Sequence, residues 1–213
     1  LFPYTTLFRS ADGGFESPEL YYNLGNAFFK LNDYPNAILW YERAKKLNPA
    51  AEDIIFNLNV ANTRISDKIE PIPELFYIKW YRGVVQAMPV DRWATLSIIF
   101  LAAGFAGFIL FLIARFLWLR KAGFRVGVAF IAISLFTLLF ASAGNRFRSA
   151  SGEAIIFDPT VTVKSSPDEN STEIFVIHEG TKVTILDRIG DWYEIRIANG
   201  SVGWLPGTTL VKI

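Results

Sequence analysis

The chain has 213 residues, of which 52% are hydrophobic, and its mean hydropathy of +0.29 is high for a soluble protein. Residues 11–93 carry 9 basic and 11 acidic side chains, residues 152–213 carry 5 and 9, and the segment between them has 6 basic and no acidic ones. Neither flank has the basic surface that nucleic-acid binding requires, and the absence of cysteine excludes disulfides and thiol chemistry.

The first ten residues, LFPYTTLFRS, are what a common short-read sequencing adapter gives on translation. We therefore expect residues 1–10 to be an adapter artefact and exclude them from fold reasoning. The natural N-terminus, with any signal peptide, is then expected to be missing. The run Gly13-Gly14-Phe15-Glu16 looks like the turn of a preceding helical repeat, which also favours truncation.

Residues 18–51 contain two helical patterns separated by the turn Asn32-Asp33-Tyr34. The positions that carry the pattern are Tyr21, Leu24, Gly25, Phe28, Ala37, Tyr41, Ala44 and Pro49. Their spacing resembles a tetratricopeptide repeat, and a capping helix is predicted over 51–65. We assign 11–70 to this repeat region, although such arrays usually need three or more units to bury a core.

Repeats of this type bind extended peptides or partner helices on the concave face, which the first helix of each pair lines. The resemblance implies a partner-binding role for Tyr22, Asn26, Lys30, Asn57 and Arg64. An alternative is that Asn26 and Asn57 only hold neighbouring backbone.

Residues 71–92 are predicted to form a linker helix that lies in the membrane interface. Lys79, Arg82 and Gln86 form a narrow polar stripe, while most of the other side chains are apolar or aromatic. A thin basic face beside a wide aromatic face is typical of helices in the headgroup layer. The alternative is a helix packed under the repeat.

Two uncharged runs, Ala94–Ala114 and Val126–Gly144, are each about 30 Å long as helices, enough to cross a bilayer. We predict transmembrane helices over 93–119 and 126–144, joined by a loop over 120–125. The basic residues at this turn are Arg115, Arg120, Lys121 and Arg125. The positive-inside rule places them in the cytoplasm, so both flanking modules are expected in the periplasm, anchored to the inner membrane.

From about residue 154 to 213 the apolar period changes to two, and Asn199-Gly200 is a strong hairpin signal. Five short strands are predicted. The segment resembles a bacterial SH3 domain through the Val161–Pro167 opening and the Gly203-Trp204 ending. Members of this class bind peptides or cell-wall glycopeptide, which implies Trp192, Tyr193 and Trp204 as ligand-binding candidates. Alternatively, the tryptophans fill a small core. His178 is expected to be an exposed strand residue.

No catalytic signature is present: nucleotide-binding glycine motifs are missing, and the single histidine has no serine and acid in motif context. The single histidine also lacks metal-ligand partners at useful spacing. We therefore expect a protein that is not an enzyme, with no cofactor and no metal.

The order of parts predicts a multi-domain membrane protein with an α-helical repeat array, an α-helical transmembrane hairpin and a small all-β SH3-like barrel. This order resembles the BatE-type proteins of the Bacteroides aerotolerance operons. The resemblance implies a scaffold in a cell-envelope stress complex beside membrane proteins with von Willebrand A domains. A peptidoglycan-binding tether or sensor is the alternative, and a cytoplasmic scaffold follows if the hairpin is inverted.

Overall fold

A computed structural model describes residues 16–149 and 152–213. The suspected adapter and residues 13–15 of the predicted turn lie outside the described residues. The chain divides into two compact units. One contains the described residues up to Phe76 together with those from 152 onward, and the other is Tyr77–Ser149.

The first unit begins with three helices, α1 (Pro18–Lys30), α2 (Tyr34–Leu47) and α3 (Glu52–Asn62). Ser17 and Asp33 cap α1 and α2 by accepting hydrogen bonds from backbone N–H groups of the first turns. The two helices approach closely because Gly25 has no side chain: a Cβ there would lie 2.5 Å from the Tyr41 ring. Local sequence therefore sets both the helix starts and their close contact.

The rest of this unit is one antiparallel sheet of seven short strands in the order β3-β2-β6-β5-β4-β1-β7. The strands are β1 (Glu153–Ile156), β2 (Thr160–Lys164), β3 (Glu173–His178), β4 (Lys182–Ile189), β5 (Trp192–Arg196), β6 (Val202–Pro206) and β7 (Leu210–Lys212), with a 3₁₀ turn at Gly207–Thr209. The five-strand prediction missed β1 and β7. Strand β1 has no apolar alternation, because Ala154, Ile155 and Ile156 are all fully buried.

Strand β1 joins the sheet to the helices. Ala154 and Ile156 belong to the core of the sheet, whereas Ile155 belongs to the helical core beside Ile38 and Leu58. Sequence treats the repeat and the barrel as separate modules, but the structure packs them together. The barrel thus supplies apolar surface that a single repeat with one further helix lacks.

An ion triad lies at this junction. The Lys182 ammonium is 2.9 Å from a carboxylate oxygen of Glu42 and 2.9 Å from one of Glu153. Burial by itself lowers the pKa of Lys182, but the two carboxylates outweigh it and raise the pKa above its usual value. Because the Glu42 side chain is only 8% exposed, loss of Lys182 would leave a buried charge without its partner.

Asp67, in the segment after α3, makes a second polar junction with the sheet. It accepts hydrogen bonds from the backbone N–H of His178, the ring Nδ1 of His178 and the hydroxyl of Thr181, at 2.8, 2.7 and 2.6 Å. Burial alone would raise the pKa of Asp67, but the hydrogen bonds from Thr181 and His178 hold it below its usual range. His178 is therefore half-buried and partnered, not the exposed strand residue that we expected.

The second unit contains α4 (Phe76–Gln86), α5 (Val90–Ile113) and α6 (Leu117–Ser149). The first residue of α4, Phe76, is counted with the first unit. Both α5 and α6 are long and apolar enough to cross a membrane. The predicted linker helix over 71–92 is shorter in the structure, because Pro71 and Pro73 keep the preceding chain out of the helix and Pro89 separates it from α5.

The turn of the hairpin lies earlier than the predicted loop. The chain leaves α5 at Ala114 and α6 starts at Leu117, so Arg120, Lys121 and Arg125 lie inside α6. Arginine and lysine are good helix formers, and 117–125 contains no proline and one glycine, Gly123. The predicted boundaries 93–119 and 120–125 are therefore corrected to a helix that ends at Ile113 and a three-residue turn.

Small residues allow α5 and α6 to pack closely. A Cβ on Gly107 would lie 2.8 Å from the Cα of Gly127, and one on Gly104 would lie 2.7 Å from Ile131. Ser97 and Ser134 each donate to the other's backbone carbonyl, at 3.0 and 2.8 Å, so both hydroxyls are satisfied among apolar side chains.

We expect Asp67→Asn to destabilise the first unit near neutral pH, because the amide no longer offers two carboxylate oxygens to three donors. The midpoint of thermal unfolding of the full chain in detergent, followed by tryptophan fluorescence, should fall by about 2–6 °C. Since the folded pKa of Asp67 is depressed, its contribution is present above the unfolded value of about 3.9 and is lost as pH falls through the folded value. The variant and the native chain should therefore converge in acid.

The matched control is Glu70→Gln, the same acid-to-amide change at an exposed residue three positions along. It should leave the midpoint unchanged at every pH. A difference between Asp67→Asn and the native chain that stays constant from pH 7 to pH 3 would contradict the proposed role of the carboxylate.

Candidate functional site

The strongest candidate site is a groove of about 280 Å³ on the helical part of the first unit. Its lining consists of Tyr22, Asn26, Phe29, Lys30, Tyr41, Asn57 and Val60. Side chains of α1 and α3 thus meet over α2, as in the concave face of a helical repeat. Four of the five predicted partner-binding residues line this groove.

A hydrogen-bond network organises the floor of the groove. The side-chain oxygen of Asn26 accepts from the Tyr41 hydroxyl at 2.7 Å and from the Asn57 amide at 2.9 Å. The same Asn57 amide lies 3.0 Å from the Tyr22 hydroxyl. The two asparagines therefore bond to side chains of neighbouring helices. These hydrogen bonds do not involve the backbone, contrary to the alternative that the asparagines only hold neighbouring backbone.

Tyr41 stays protonated at any physiological pH. Burial, with Tyr22 nearby, raises the pKa of Tyr41 to about 12, although the hydrogen bond with Asn57 opposes the shift. Its hydroxyl is consequently a permanent donor to Asn26, which fixes the orientation of that amide.

The network leaves hydrogen-bonding capacity for a ligand. Asn26 keeps the two N–H donors of its amide, and Asn57 keeps its side-chain oxygen as an acceptor. An extended peptide presents the complementary carbonyl and N–H along its backbone. Lys30, exposed at the rim, adds a positive charge.

Arg64 is not part of this site. The predicted capping helix over 51–65 ends at Asn62, and Arg64 lies exposed beyond the helix end, where only its backbone N–H bonds to Ala61. Because α3 stops early, the residue leaves the face that Asn57 occupies.

A second candidate surface lies on the outer face of strands β5 and β6. Trp192 pairs with Pro206, and Glu194 pairs with Trp204, so the two tryptophans are diagonal neighbours on one face. Both are half-buried and neither belongs to the core of the sheet. The alternative that they fill the core is therefore wrong, and their exposed area is available for contact.

Tyr193 does not join the two tryptophans. Successive residues of a strand point to opposite faces, and Tyr193 packs against the core. Its ring packs against Gly207, where a Cβ would lie 2.6 Å from the ring. The cationic groups of Arg188 and Lys212 lie over the same ring, 5.3 and 4.9 Å from its centroid. The structure thus brings Trp192 and Trp204 together and separates Tyr193 from them.

Two segments of the chain match known families. Residues 18–50 match the tetratricopeptide repeat and residues 159–211 match the bacterial SH3 domain. These matches confirm the repeat and the SH3 domain that the sequence predicted. Modules of these two kinds point to protein–protein interaction or to peptidoglycan binding. No curated protein matches the chain.

Within residues 16–149 and 152–213, no group of three or more histidine, aspartate or glutamate side chains is arranged to hold a metal ion. The carboxylates at the repeat–barrel junction instead bind Lys182, Thr181 and His178.

Replacing Asn26 with alanine should destabilise α1 and α2, since the buried Tyr41 hydroxyl loses its acceptor. An unpaired buried donor costs about 1–3 kcal/mol. Hydrogen exchange of the full chain in detergent, resolved by segment, should show faster exchange in both helices.

Asn23→Ala is the matched control, because Asn23 is exposed on the same helix. The substitution changes helix propensity by the same amount as Asn26→Ala. Equal exchange in the two variants would mean that the network contributes no stability.

Proposed function

We propose that the protein is a membrane-anchored adaptor whose repeat–barrel unit binds a partner protein through the groove of α1 and α3. The observation that carries the proposal is the groove floor, where Asn26 presents amide N–H donors and Asn57 an acceptor oxygen beside Lys30. Such a surface suits an extended peptide segment, and no catalytic role is needed to account for it. We propose that the protein is not an enzyme.

The anchoring part of the proposal rests on the exposed apolar surface of α5 and α6. In the most apolar 18-residue stretch of each helix, only 17% of α5 and 22% of α6 is buried. A core helix of a soluble protein would be mostly buried, whereas a bilayer would cover the exposed leucine, isoleucine and phenylalanine side chains. Exposed Trp80 and Phe76 on α4 fit a helix in the headgroup layer.

A hairpin with two crossings also agrees with which parts of the chain form the first unit. Its helical part precedes α5 and its sheet follows α6, yet both share one core through Ile155. Two crossings return the chain to the side from which it left. The excess of basic residues at the turn favours a cytoplasmic turn, so we propose that the repeat–barrel unit faces the periplasm from the inner membrane.

The order of repeat, hairpin and barrel suggests the finer proposal of a BatE-like role in aerotolerance. Its partner would then be a membrane protein with a von Willebrand A domain. A second candidate, a peptidoglycan tether or sensor, is favoured by the exposed pair Trp192 and Trp204, since aromatic faces contact sugar rings well.

Topology is tested by single cysteines at Ala50, Asn199 and Lys121, because the chain has no natural cysteine. A membrane-impermeant thiol reagent is applied to cells with a permeabilised outer membrane. We expect labelling at Ala50 and Asn199 and none at Lys121 until the cells are lysed. Labelling at Lys121 alone would place the unit in the cytoplasm and remove peptidoglycan as a ligand.

The two functions are separated by a photo-crosslinking residue at Lys30 in the full membrane-bound chain. The adaptor predicts a crosslink to a membrane protein with a von Willebrand A domain, and none from the exposed Asn23 of the same helix. It also predicts that the detergent-solubilised chain does not sediment with purified sacculi.

The tether predicts the reverse pattern, with sedimentation that Trp192→Ala combined with Trp204→Ala abolishes. Trp80→Ala, an exposed tryptophan outside the sheet, is the matched control for aromatic removal. Equal crosslinking from Lys30 and Asn23 would argue against the groove as the binding site.

A further inference from the structure

A cavity of about 310 Å³ lies at the turn of the hairpin. Three basic and three apolar side chains line it: Arg120, Lys121, Arg125, Phe111, Leu117 and Phe124. All except Phe111 come from the first turns of α6, at the spacing i, i+3, i+4, i+7 and i+8, which is one face of a helix. The cations therefore converge on one place instead of surrounding the helix.

Asp91 is the one carboxylate of this unit, and it lies far from these cations. No aspartate or glutamate occurs between Asp91 and Glu153 in the sequence. Asp91 is in the first turn of α5, about 30 Å along that helix from Phe111. Three like charges that share one cavity repel one another, so an anion in the cavity would relieve a cost that the unit itself does not offset.

Local contacts shape the cavity. The guanidinium of Arg120 lies over the Phe111 ring, 5.3 Å from its centroid. The Phe111 ring also packs against Phe124, with centroids 5.6 Å apart. The floor is thus aromatic, and one arginine is held by a cation–π contact. Arg115 is not part of the lining.

We propose that this cavity binds the headgroup phosphate of an anionic phospholipid, with the glycerol and first methylenes against Leu117, Phe111 and Phe124. The inference rests on the proposed membrane anchoring, because the turn would then lie at headgroup depth. Arginine binds phosphate oxygens with two parallel hydrogen bonds. Basic pockets between membrane helices are suited to such headgroups, and a zwitterionic lipid would bring its own cation against the cluster.

The test uses the full chain in nonionic detergent, with phosphatidylglycerol or phosphatidylcholine added and bound lipid counted by native mass spectrometry. We expect phosphatidylglycerol to bind at least about tenfold more tightly than phosphatidylcholine. The combined variant Arg120→Gln, Lys121→Gln, Arg125→Gln should lose this preference, with affinity on the order of a hundredfold lower, at about fivefold for each charge.

The matched control removes three exposed charges from the other end of the hairpin: Arg92→Gln, Arg146→Gln and Arg148→Gln. It should retain the preference for phosphatidylglycerol. Equal lipid binding by the two triple variants would overturn the proposal. If the first triple variant loses helicity by circular dichroism, Arg120→Lys replaces it, which keeps the charge and should still weaken binding because the two-pronged contact is lost.

Competition identifies the source of the phosphate. Inorganic phosphate at millimolar concentration should leave phosphatidylglycerol bound, since it cannot contact the apolar floor. Full displacement would assign the cavity to a free phosphate and overturn the lipid assignment. Carbonate extraction of native membranes separates this inference from the proposed function: a chain that stays in the membrane without lipid preference refutes the cavity alone, whereas an extracted chain refutes the anchoring.

Discussion

The burial of strand β1 on both faces is the constraint on which the first unit depends. Ala154 and Ile156 complete the core of the sheet, while Ile155 enters the helical core. A single repeat and one further helix leave an apolar face uncovered, and the barrel covers it. The junction is then fixed by polar contacts, because Arg43 and Lys46 donate to the backbone carbonyls of Lys212 and Ile213. Helices and sheet consequently stabilise each other.

This packing has a consequence for binding. The groove of α1 and α3 and the tryptophan face of β5 and β6 belong to one compact unit, so their separation is set by the fold and not by a linker. A partner that contacts both surfaces gains from the second contact without the entropy cost that a flexible linker imposes. The segment 63–75 is tied to the sheet by the three hydrogen bonds of Asp67 before the chain reaches α4.

Local patterns predicted most of the elements, and long-range contacts account for what they missed. The helix pair α1 and α2 is indicated by the spacing of Gly25, Tyr41 and the turn at Asn32-Asp33. Nothing local identifies the partnership of Asp67 with His178, which are 111 residues apart, or the doubly buried β1. The groove was largely predictable because α1 and α3 follow a known repeat register. Arg64 lies off the groove because α3 ends at Asn62, two residues before it.

Charge is used in two opposite ways in this chain. In the first unit the buried or half-buried carboxylates of Glu42, Asp67 and Glu153 each have a specific cationic or hydrogen-bonding partner, as the low dielectric of an interior demands. In the hairpin unit the basic side chains at the turn have no acid near them, because Asp91 lies about 30 Å away along α5. Paired charges suit the first unit, because each partly buried carboxylate is neutralised or hydrogen-bonded by a group of the same unit. If the hairpin spans a membrane as we propose, an anionic headgroup layer would neutralise the unbalanced charge at its turn.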